Sequence, residues 1–484
     1  MKKFNIIELL EKHNITDIAI DSRQVVPGSA FFALGGLSSD GNDYINQAFA
    51  SGAAIVISDK ICNEASKIFK VEDSKQQLAE ACRWLYKNIP EYLIAVTGTS
   101  GKTSVVNYIL QILEYLKVPA ASIGSLGIIT NNCVLSKEND KEAQDLNTQD
   151  LVTFYKTLAR LKASGVNIVA FEASSHGLDQ GRIHGVKVNA AGFTSFSQDH
   201  LDYHGTMEAY LQAKLKIFKE NLADHGIAVI NCDMHCASEV VNFLKNNKKK
   251  FVTVGEQGDV KIISTKMSLS SQHIEFEYRL KRYSFSTDVI GAFQASNILI
   301  AAVLASYSGQ DFDKIIEVLP QLKTVNGRLE KVVAYKNIFV DHSHKPEALE
   351  KALNNLATLK EEGSKLIVVF GCGGNRDRLK RPIMGKIASE IADITIITDD
   401  NPRFEEADFI RREILAGTNE SLINEGKVVE VGDRKKAISY AISLMGDNDI
   451  LLIAGKGHET YQIIKDQKIP FSDIEVVKEI IEGK

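Results

Sequence analysis

A glycine-rich segment at residues 98–104 has the residue types of a nucleotide phosphate loop. Its members are Gly98, Thr99, Ser100, Gly101, Lys102, Thr103 and Ser104. Glycines let backbone N–H groups close around phosphate oxygens, a lysine reaches the terminal phosphates, and the hydroxyl that follows ligates Mg²⁺. Common phosphate loops carry an earlier glycine where this chain has Val96, so the pattern is incomplete. We predict a nucleotide-binding loop, with a plain glycine-rich turn as the alternative.

Glu172 and His200 are candidate metal ligands. Mg²⁺ prefers hard oxygen ligands and accepts an occasional imidazole. Each residue alone has an ordinary explanation as a solvated or structural side chain. Both follow predicted strands, however, and together with Thr103 they predict one metal site. We assign Asp202 and His204 to a hydrogen-bonded turn.

These chemical residues follow short apolar strands that alternate with helical segments. The predicted strands are Tyr92–Val96, Asn167–Phe171, Ala190–Thr194, Ile227–Ile230, Asn337–Val340, Lys365–Phe370, Ile394–Thr398 and Ile450–Ile453. A helix is predicted over Val105–Leu116, directly after the glycine-rich segment. Such alternation is typical of parallel sheets covered on both faces, with ligands at the carboxyl ends of the strands.

The chain has 484 residues, enough for about three domains. The pattern changes at Pro90 and near the turn at residues 326–328, which predicts an α/β protein with domains at residues 1–90, 91–325 and 326–484. The formal net charge is −5, and no apolar stretch reaches the roughly 20 residues of a membrane helix. We expect a cytoplasmic monomer that binds neither nucleic acid nor membranes.

Six ordered motifs resemble those of the Mur ligase family of bacterial cell-wall synthesis. They lie at residues 97–103, 172–178, 199–204, 371–374, 400–403 and 455–459, across nearly the whole chain. The resemblance implies an N-terminal UDP-binding domain, a central P-loop ATP-binding domain with a parallel sheet, and a C-terminal Rossmann-like amino-acid-binding domain. It also implies ATP as substrate, Mg²⁺ as cofactor, and a role in peptidoglycan synthesis, cell shape, cell division and the cell cycle.

The resemblance also implies roles for individual residues. The UDP-N-acetylmuramoyl-dipeptide would be bound by Ile20, Ser22, Ser38, Ser39, Asn147, Thr148, Gln149, Ser174, Gln180 and Arg182. Asn297 and Arg328 would contact ATP from the domain junction. Lys214 matches a lysine that such enzymes carbamylate, which would make it a metal ligand with Thr103, Glu172 and His200. Lys102, Lys214 and His200 are then the catalytic candidates.

Three parts of the chain depart from the family pattern. The family often shows two adjacent threonines in the run at residues 147–149, and here only Thr148 remains. Lys345 stands where a threonine usually precedes the proline, in the run from Asp341 to Pro346. Gln198 stands where an arginine is common.

Arg376 and Arg403 are candidates for choosing the amino acid that is added. A guanidinium binds a carboxylate through two parallel charge-assisted hydrogen bonds, and it would repel the terminal ammonium of lysine. meso-2,6-Diaminopimelate carries a carboxylate at that end, while Asp400 and Glu459 suit its ammonium. In the resembling family, the sequence Asp-Asn-Pro-Arg is the diaminopimelate signature. The implied binding set is Arg376, Asp400, Asn401, Pro402, Arg403, Gly455 and Glu459.

The resemblance therefore implies an ATP-dependent ligase that forms an amide bond through an acyl phosphate. Its substrates would be UDP-MurNAc-L-Ala-D-Glu, meso-diaminopimelate and ATP. An L-lysine-adding ligase of the same family and a folylpolyglutamate synthase are the alternatives among enzymes. A binding protein that hydrolyses ATP only to change conformation is the alternative from another class.

Overall fold

The structure is a computed structural model that describes residues 5–35, 40–61, 63, 67–131 and 148–483. The predicted substrate residues Ser38, Ser39 and Asn147 lie outside the described residues. Within them, the main elements form three successive α/β units, called here the N-terminal, middle and C-terminal units, each built on its own sheet.

The N-terminal unit contains a parallel four-stranded sheet in the order β1-β2-β3-β4. Its elements are α1 (Ile6–Lys12), β1 (Asp17–Ala19), β2 (Ser29–Ala33), α2 (Ile45–Ala50), β3 (Ile55–Ser58), β4 (Ile68–Lys70) and α3 (Ser74–Leu85). Helix α3 begins at Ser74 because the Asp73 carboxylate accepts a hydrogen bond from Gln76 N. Leu10 of α1 and Leu78 of α3 are buried in one core with Phe32 of the sheet.

The middle unit is built on a ten-stranded sheet. Its first elements are β5 (Tyr92–Thr97), α4 (Lys102–Tyr115), β6 (Ala120–Gly124), β7 (Gly127–Thr130), α5 (Leu151–Ala163), β8 (Ile168–Glu172), α6 (Ser175–Asp179), β9 (Val188–Phe193), α7 (Leu201–His204) and α8 (Met207–Lys216). The remainder are β10 (Leu222–Asn231), α9 (Ala237–Asn246), β11 (Lys250–Gly255), β12 (Val260–Met267), β13 (Gln272–Tyr278), β14 (Lys281–Thr287), α10 (Ala292–Ser306) and α11 (Phe312–Val318). The strand order is β14-β13-β12-β11-β10-β9-β5-β8-β6-β7.

The predicted parallel sheet forms the centre of this unit, and antiparallel strands that were not predicted extend both edges. Strand β7 pairs antiparallel with β6, and β13 pairs antiparallel with β12 and β14. Strand β13 alternates buried and half-exposed residues, the period-two pattern of a sheet with one solvated face. A two-residue turn with positive φ at Arg279 and Leu280 joins β13 to β14.

Both faces of the middle sheet are covered. Ile94 and Val96 of β5 pack in one core with α4 and α10, while Leu93 and Ala95 pack in another core with α5. Because β8 and β9 both pair parallel with β5, the carboxyl ends of the three strands meet at one edge. Helix α10 is buried along most of its length, in keeping with its continuous apolar run from Ile298 to Ala305.

The C-terminal unit contains a six-stranded sheet in the order β15-β16-β20-β17-β18-β19, parallel except for β15. Its first elements are β15 (Glu330–Lys331), β16 (Asn337–Asp341), α12 (Pro346–Ala357), β17 (Leu366–Phe370), α13 (Lys380–Ile391), β18 (Ile394–Ile397) and α14 (Ala407–Leu415). The rest are α15 (Glu420–Asn424), β19 (Val428–Glu430), α16 (Arg434–Leu444), β20 (Ile450–Ala454), the hairpin β21 (Tyr461–Ile464) and β22 (Gln467–Pro470), and α17 (Asp473–Glu482). In the described parts of the chain, none of the helices combines the length and apolarity required to cross a bilayer.

Candidate active site

The glycine-rich loop connects β5 to α4 and leaves the N-terminus of α4 open to a cavity of about 310 Å³. Gly98 and Gly101 have φ values of 145° and 87°. A Cβ on Gly98 would lie 2.1 Å from Thr194 Oγ1, and one on Gly101 would lie 2.7 Å from Asn297 Oδ1. Side chains at these positions are therefore excluded, and the geometry is that of a phosphate-binding loop.

The half-buried Lys102 and the buried Lys214 converge on the carbonyls of this loop. Lys102 Nζ donates hydrogen bonds to Gly98 O (2.8 Å) and Thr99 O (3.1 Å). Burial and the neighbouring Lys345 lower the pKa of Lys102 to about 8. Lys214 Nζ, from α8, donates to Gly98 O (2.9 Å) and lies 4.4 Å from the centre of the Tyr210 ring. Burial and the charge of Lys102 hold the pKa of Lys214 well below its usual value.

Thr103 and Glu172 are in direct contact at the same edge of the sheet. Thr103 Oγ1 donates to Glu172 Oε1 (3.0 Å), and the backbone N–H of Ser125 donates to that oxygen as well (2.7 Å). Gly124 must be glycine because a Cβ would lie 2.3 Å from Glu172 Oε1. A buried carboxylate beside a hydroxyl provides the hard oxygen donors that suit Mg²⁺.

His200 lines the same cavity as Thr103 and Glu172. Its Nε2 lies 3.0 Å from Asp199 Oδ2, and its ring centre lies 4.6 Å from that of His176. Burial lowers the pKa of His200 to about 3 although Asp199 opposes the shift, so the imidazole is neutral and available as a ligand. Within the described residues, no three His, Cys, Asp or Glu side chains cluster as a metal site. A bound Mg²⁺ therefore needs other oxygens, such as the Thr103 hydroxyl and phosphate oxygens.

The predicted turn that holds Asp202 and His204 is a single helical turn, α7. His204 N donates to His200 O (2.9 Å), and His200 itself has φ of 54°. His200 therefore lines the cavity from the start of this turn and not from the end of a strand.

The C-terminal unit closes the other side of the cavity. Arg328 Nη2 donates to Thr103 Oγ1 (3.1 Å), and Lys345 Nζ lies 2.6 Å from Asp199 Oδ2. Asp341 accepts hydrogen bonds from Leu329 N (2.6 Å) and from the Ser343 hydroxyl. The structure thus places the predicted nucleotide contacts Asn297 and Arg328 on the cavity, as lining residues.

Four of the predicted dipeptide-binding residues form one hydrogen-bonded network. Ser174 N donates to Thr148 Oγ1 (3.0 Å), and Arg182 Nη1 donates to Thr148 O (3.0 Å). Arg182 Nη2 donates to Gln180 Oε1 (2.7 Å). Gln149 is buried next to them. This network adjoins the metal-ligand candidates because the Thr148 hydroxyl also donates to Glu172 O (3.2 Å).

The predicted UDP contacts lie in the N-terminal unit. Ile20 follows β1 and is half-buried, and Ser22 Oγ donates to Gln47 Oε1 (3.0 Å). Neither residue lines the cavity at the phosphate loop. The structure therefore leaves these two apart from the nucleotide-site candidates.

Arg376 and Arg403 converge around Gly373 in the C-terminal unit. A Cβ on Gly373 would lie 2.8 Å from Arg403 Nη1 and 3.7 Å from Arg376 Cγ. Arg403 Nη1 donates to Gly374 O (3.0 Å), and its backbone N–H donates to Ile463 O (3.0 Å) of the β21–β22 hairpin. Burial and the adjacent Arg376 lower the pKa of Arg403. The hairpin thus holds Arg403 in place with most of its guanidinium donors unused by the described residues.

Lys456, which the sequence reasoning did not single out, organises the neighbouring acids. Its fully buried Nζ lies 3.5 Å from Asp400 Oδ1, 3.1 Å from Asn401 Oδ1 and 3.2 Å from Glu459 Oε2. Asn401 Nδ2 also donates to Glu459 Oε2 (2.9 Å). The signal was present, since Lys456 lies inside the motif at residues 455–459.

The two arginines do not line the cavity at the phosphate loop. These two arginines and the neighbouring Asp400, Asn401 and Glu459 are together called here the arginine pocket. It adjoins the cavity through the loop at residues 455–458, where His342 Nδ1 lies 3.0 Å from Lys456 O. The centre of the His458 ring lies 5.1 Å from that of His342.

Sequence reasoning also missed Ser125 and Asp199 as cavity residues. Ser125 follows the apolar run Ala120–Gly124, which forms β6, and a polar residue at such a strand end was the available signal. Asp199 lies in the motif at residues 199–204, but its ion pair with Lys345 joins distant parts of the chain.

Family models match most of the chain. Residues 14–91 match the model described as "Mur ligase family, catalytic domain". Residues 96–305 match "Mur ligase middle domain", and residues 327–457 match "Mur ligase, glutamate ligase domain".

Similar curated proteins carry the name UDP-N-acetylmuramoyl-L-alanyl-D-glutamate–2,6-diaminopimelate ligase. The one from Rickettsia rickettsii is 47% identical over 478 residues, which is 99% of this chain and 98% of that protein. The one from Rickettsia bellii is 48% identical over 470 residues, covering 97% and 96% of the two chains.

Solved structures show the same likeness. A structure of a ligase with the same name is 30% identical, with a TM-score of 0.70 and coverage of 97% of this chain and 95% of that one. MurF ligase from Thermotoga maritima, in complex with ADP, is 20% identical with a TM-score of 0.63, covering 97% and 98%. Mycobacterium tuberculosis folylpolyglutamate synthase with ADP is 17% identical with a TM-score of 0.63, covering 78% and 91%. The last two show a shared fold only.

Proposed function

This chain belongs to the Mur ligase family, and from that premise we propose that it attaches meso-2,6-diaminopimelate to UDP-MurNAc-L-Ala-D-Glu in peptidoglycan precursor synthesis. It is an ATP-dependent ligase that forms an amide bond with the D-glutamyl γ-carboxylate. The observation that carries the proposal is the cavity at the phosphate loop, which both the middle and the C-terminal units line. We further propose that the reaction takes place in the cytoplasm, where ATP is available.

The first step activates the carboxylate, because oxide is too poor a leaving group for direct attack by an amine. A carboxylate oxygen bonds to the γ-phosphorus of ATP, the bond from that phosphorus to ADP breaks, and an acyl phosphate forms. Lys102 and the N-terminus of α4 bind the phosphates and stabilise the charge that develops. Catalysis then depends on positioning and charge rather than on a nucleophilic side chain.

Thr103, Glu172 and His200 are the residues that would hold Mg²⁺ in this site. Bound Mg²⁺ would neutralise charge between the phosphates and the acyl group. Asn297 and Arg328 line the nucleotide cavity, and the Arg328 guanidinium reaches Thr103 Oγ1. We assign these two residues to ATP binding.

We infer that Lys214 is carbamylated. An uncharged lysine amine adds to CO₂, forming an N–C bond and releasing a proton, and its depressed pKa favours that uncharged form. The product is an anion placed beside Lys102, where the described site has an excess of cations. Incubation with ¹³C-bicarbonate is expected to give a carbamate carbon signal that is absent from Lys214→Ala and retained in Lys216→Ala. A signal that persists in Lys214→Ala would remove the assignment.

In the second step, an amine of diaminopimelate attacks the acyl carbon and phosphate leaves. The arginine pair is suited to the distal carboxylate of diaminopimelate, since Arg403 and Arg376 converge with donors to spare. Asp400 and Glu459 supply negative charge for the ammonium beside it. The C-terminal unit, which closes one side of the cavity, is expected to bring the amine to the acyl phosphate and to exclude water.

In the decisive experiment, the protein is incubated with UDP-MurNAc-L-Ala-D-Glu, ATP and either meso-diaminopimelate or L-lysine. The mass of the UDP-linked peptide product is then measured by mass spectrometry. We expect the diaminopimelate tripeptide and one ADP per amide bond. Equal use of lysine would favour the lysine-adding ligase. ADP release without a peptide product would favour a nucleotide-switched binding protein, and glutamate addition to a folate would favour folylpolyglutamate synthase.

A further inference from the structure

Lys345 extends from the C-terminal unit into the phosphate loop of the middle unit. Its Nζ lies 2.6 Å from Asp199 Oδ2 and donates a hydrogen bond to Thr99 O (3.2 Å). Its side chain is only 13% exposed. Thr99 O also accepts the hydrogen bond from Lys102 Nζ, so the ammonium groups of two lysines share one carbonyl oxygen.

Lys345 shares the cavity with other cationic side chains. Lys102 and Arg328 line the same cavity, and burial together with the charge of Lys345 lowers the pKa of Lys102 to about 8. Asp199 is the carboxylate paired with Lys345. The other carboxylates that line the cavity are Glu172, Asp341 and Glu347, and Glu172 already accepts hydrogen bonds from Ser125 and Thr103.

The pair between Lys345 and Asp199 is close but poorly directed. Asp199 Oδ2 is buried, and no aligned hydrogen bond reaches it from the described residues. The contact with Lys345 is therefore an ion pair without an aligned hydrogen bond, and the neutral imidazole of His200 lies 3.0 Å from the same oxygen. An anion that offers Lys345 an aligned acceptor would compete with Asp199 for the ammonium.

The backbone holds Lys345 at the edge of the cavity. Lys345 precedes Pro346 and has the extended conformation that a following proline favours. Its carbonyl accepts the hydrogen bond of Leu349 N (3.0 Å), and the carbonyl of His344 accepts one from Lys380 Nζ (2.8 Å). The flexible four-carbon side chain is then the part that can move.

We propose that Lys345 binds the phosphoryl group that is transferred, as a cation supplied by the C-terminal unit. Asp199 holds the ammonium until ATP fills the loop, and an anionic oxygen of the terminal phosphate then takes its place. The acyl-phosphate part of this inference rests on the proposed function, but the contact with ATP does not. Phosphoryl transfer would thereby depend on the position of the unit that carries the arginine pocket.

The test measures dissociation constants of the full-length protein by calorimetry, with Mg²⁺ present. The ligands are ADP, the non-hydrolysable ATP analogue AMP-PNP, and UDP-MurNAc-L-Ala-D-Glu. The variants are Lys345→Met, Lys345→Arg and the matched control Lys386→Met, whose exposed side chain on α13 lies 3.8 Å from Glu390. The D-glutamyl carboxylate is the other anion that could reach Lys345, so the dipeptide forms a separate arm.

Lys345→Met is expected to weaken AMP-PNP binding by about 10- to 100-fold and ADP binding by about twofold at most. Lys345→Arg should restore most of the difference, and Lys386→Met should match the wild type. Equal losses for ADP and AMP-PNP would overturn the terminal-phosphate assignment. A loss confined to the dipeptide would assign Lys345 to the carboxylate instead, and unchanged affinities would leave only a structural ion pair.

Asp199→Asn provides a second route if Lys345→Met does not fold. Release of the ammonium is expected to tighten AMP-PNP binding more than ADP binding, whereas a purely structural pair predicts no such preference. The ligation assay on the wild type is scored separately. A wild type that makes no tripeptide while Lys345→Met still loses AMP-PNP selectively would refute the proposed function and support the phosphate contact.

Discussion

The cavity at the phosphate loop and the arginine pocket both contain buried cations, but they balance them differently. In the cavity, Lys102 donates to backbone carbonyls, and Asp199 is shared between Lys345 and His200. Beside the arginine pocket, Lys456 lies within 3.5 Å of Asp400 and of Glu459. Behind it, Arg434 forms a fully buried ion pair with Asp473 through two hydrogen bonds of 2.7 and 2.8 Å.

The difference indicates two kinds of site. Cations without carboxylate partners raise the energy of the empty cavity, and the arrival of a polyphosphate relieves that cost. Cations that already have carboxylate partners fix the geometry of their neighbours before any ligand binds. The cavity therefore favours a ligand by its negative charge. The arginine pocket instead favours a ligand whose shape fits its fixed side chains, with Arg376 and Arg403 as the available donors.

Breaking the buried pair behind the arginine pocket should have the largest effect. Asp473→Asn leaves the Arg434 guanidinium buried without its counter-ion, which is expected to cost about 3–5 kcal/mol in the free energy of unfolding. The matched control is Lys435→Met, which removes an exposed pair with Glu479 on the same two helices and should cost less than about 1 kcal/mol. Urea unfolding measures both. Similar small losses in the two variants would mean that the buried pair between Arg434 and Asp473 does not stabilise the fold.

Lys102→Met should have the opposite profile. Loss of the phosphate-binding cation is expected to lower kcat/KM for ATP by about 10²- to 10³-fold. The free energy of unfolding should not fall, because the buried ammonium has a pKa of about 8 and is therefore unfavourable in the folded state at neutral pH. Parallel assays of ADP release and urea unfolding check both effects, with the exposed Lys117→Met at the far end of α4 as control. A clear loss of stability would contradict the view that Lys102 lacks a stabilising carboxylate partner in the cavity.

Arg403→Lys tests whether the arginine pocket recognises its ligand through the planar geometry of the guanidinium donors. Lysine keeps the charge but loses the planar pair of donors, so the KM for diaminopimelate should rise about 10- to 100-fold while the KM for ATP stays within about twofold. Arg412→Lys, in an exposed pair with Asp408, is the matched control. If both KM values rose equally, Arg403 would act on the fold rather than on the amino acid.

Local patterns account for the parts of the fold that sequence reasoning predicted. The run from β5 through the glycines to α4 was visible because an apolar strand, two glycines and a helix follow one another directly. The helix begins at Lys102 rather than at Val105, since the first turn is polar and faces the cavity. The hairpin β13–β14 was missed although its residues alternate, because apolar strands separated by helical segments directed attention to parallel pairing.

Long-range pairing explains what the sequence could not predict in the site. Arg376 and Arg403 were expected to act together, and the structure brings both to Gly373. The choice of Asp199 as partner for Lys345 depends on how the middle and C-terminal units meet, and no local pattern encodes that distance. The central role of Lys456 likewise depends on acids contributed by two different loops.

His458 lies between the two regions and gives the smallest expected effect, which tests how fully the junction between them is buried. Burial lowers its pKa to about 4, and the charge of Arg328 adds to the shift. Because the folded-state pKa lies below the unfolded value, the unfolded protein binds more protons and stability is lost as the pH falls. Between pH 6.5 and 5.5 the wild type should lose about 1 kcal/mol more than His458→Gln, as judged from urea unfolding at both pH values. Identical pH dependence in the two proteins would mean that His458 is well solvated in the folded protein.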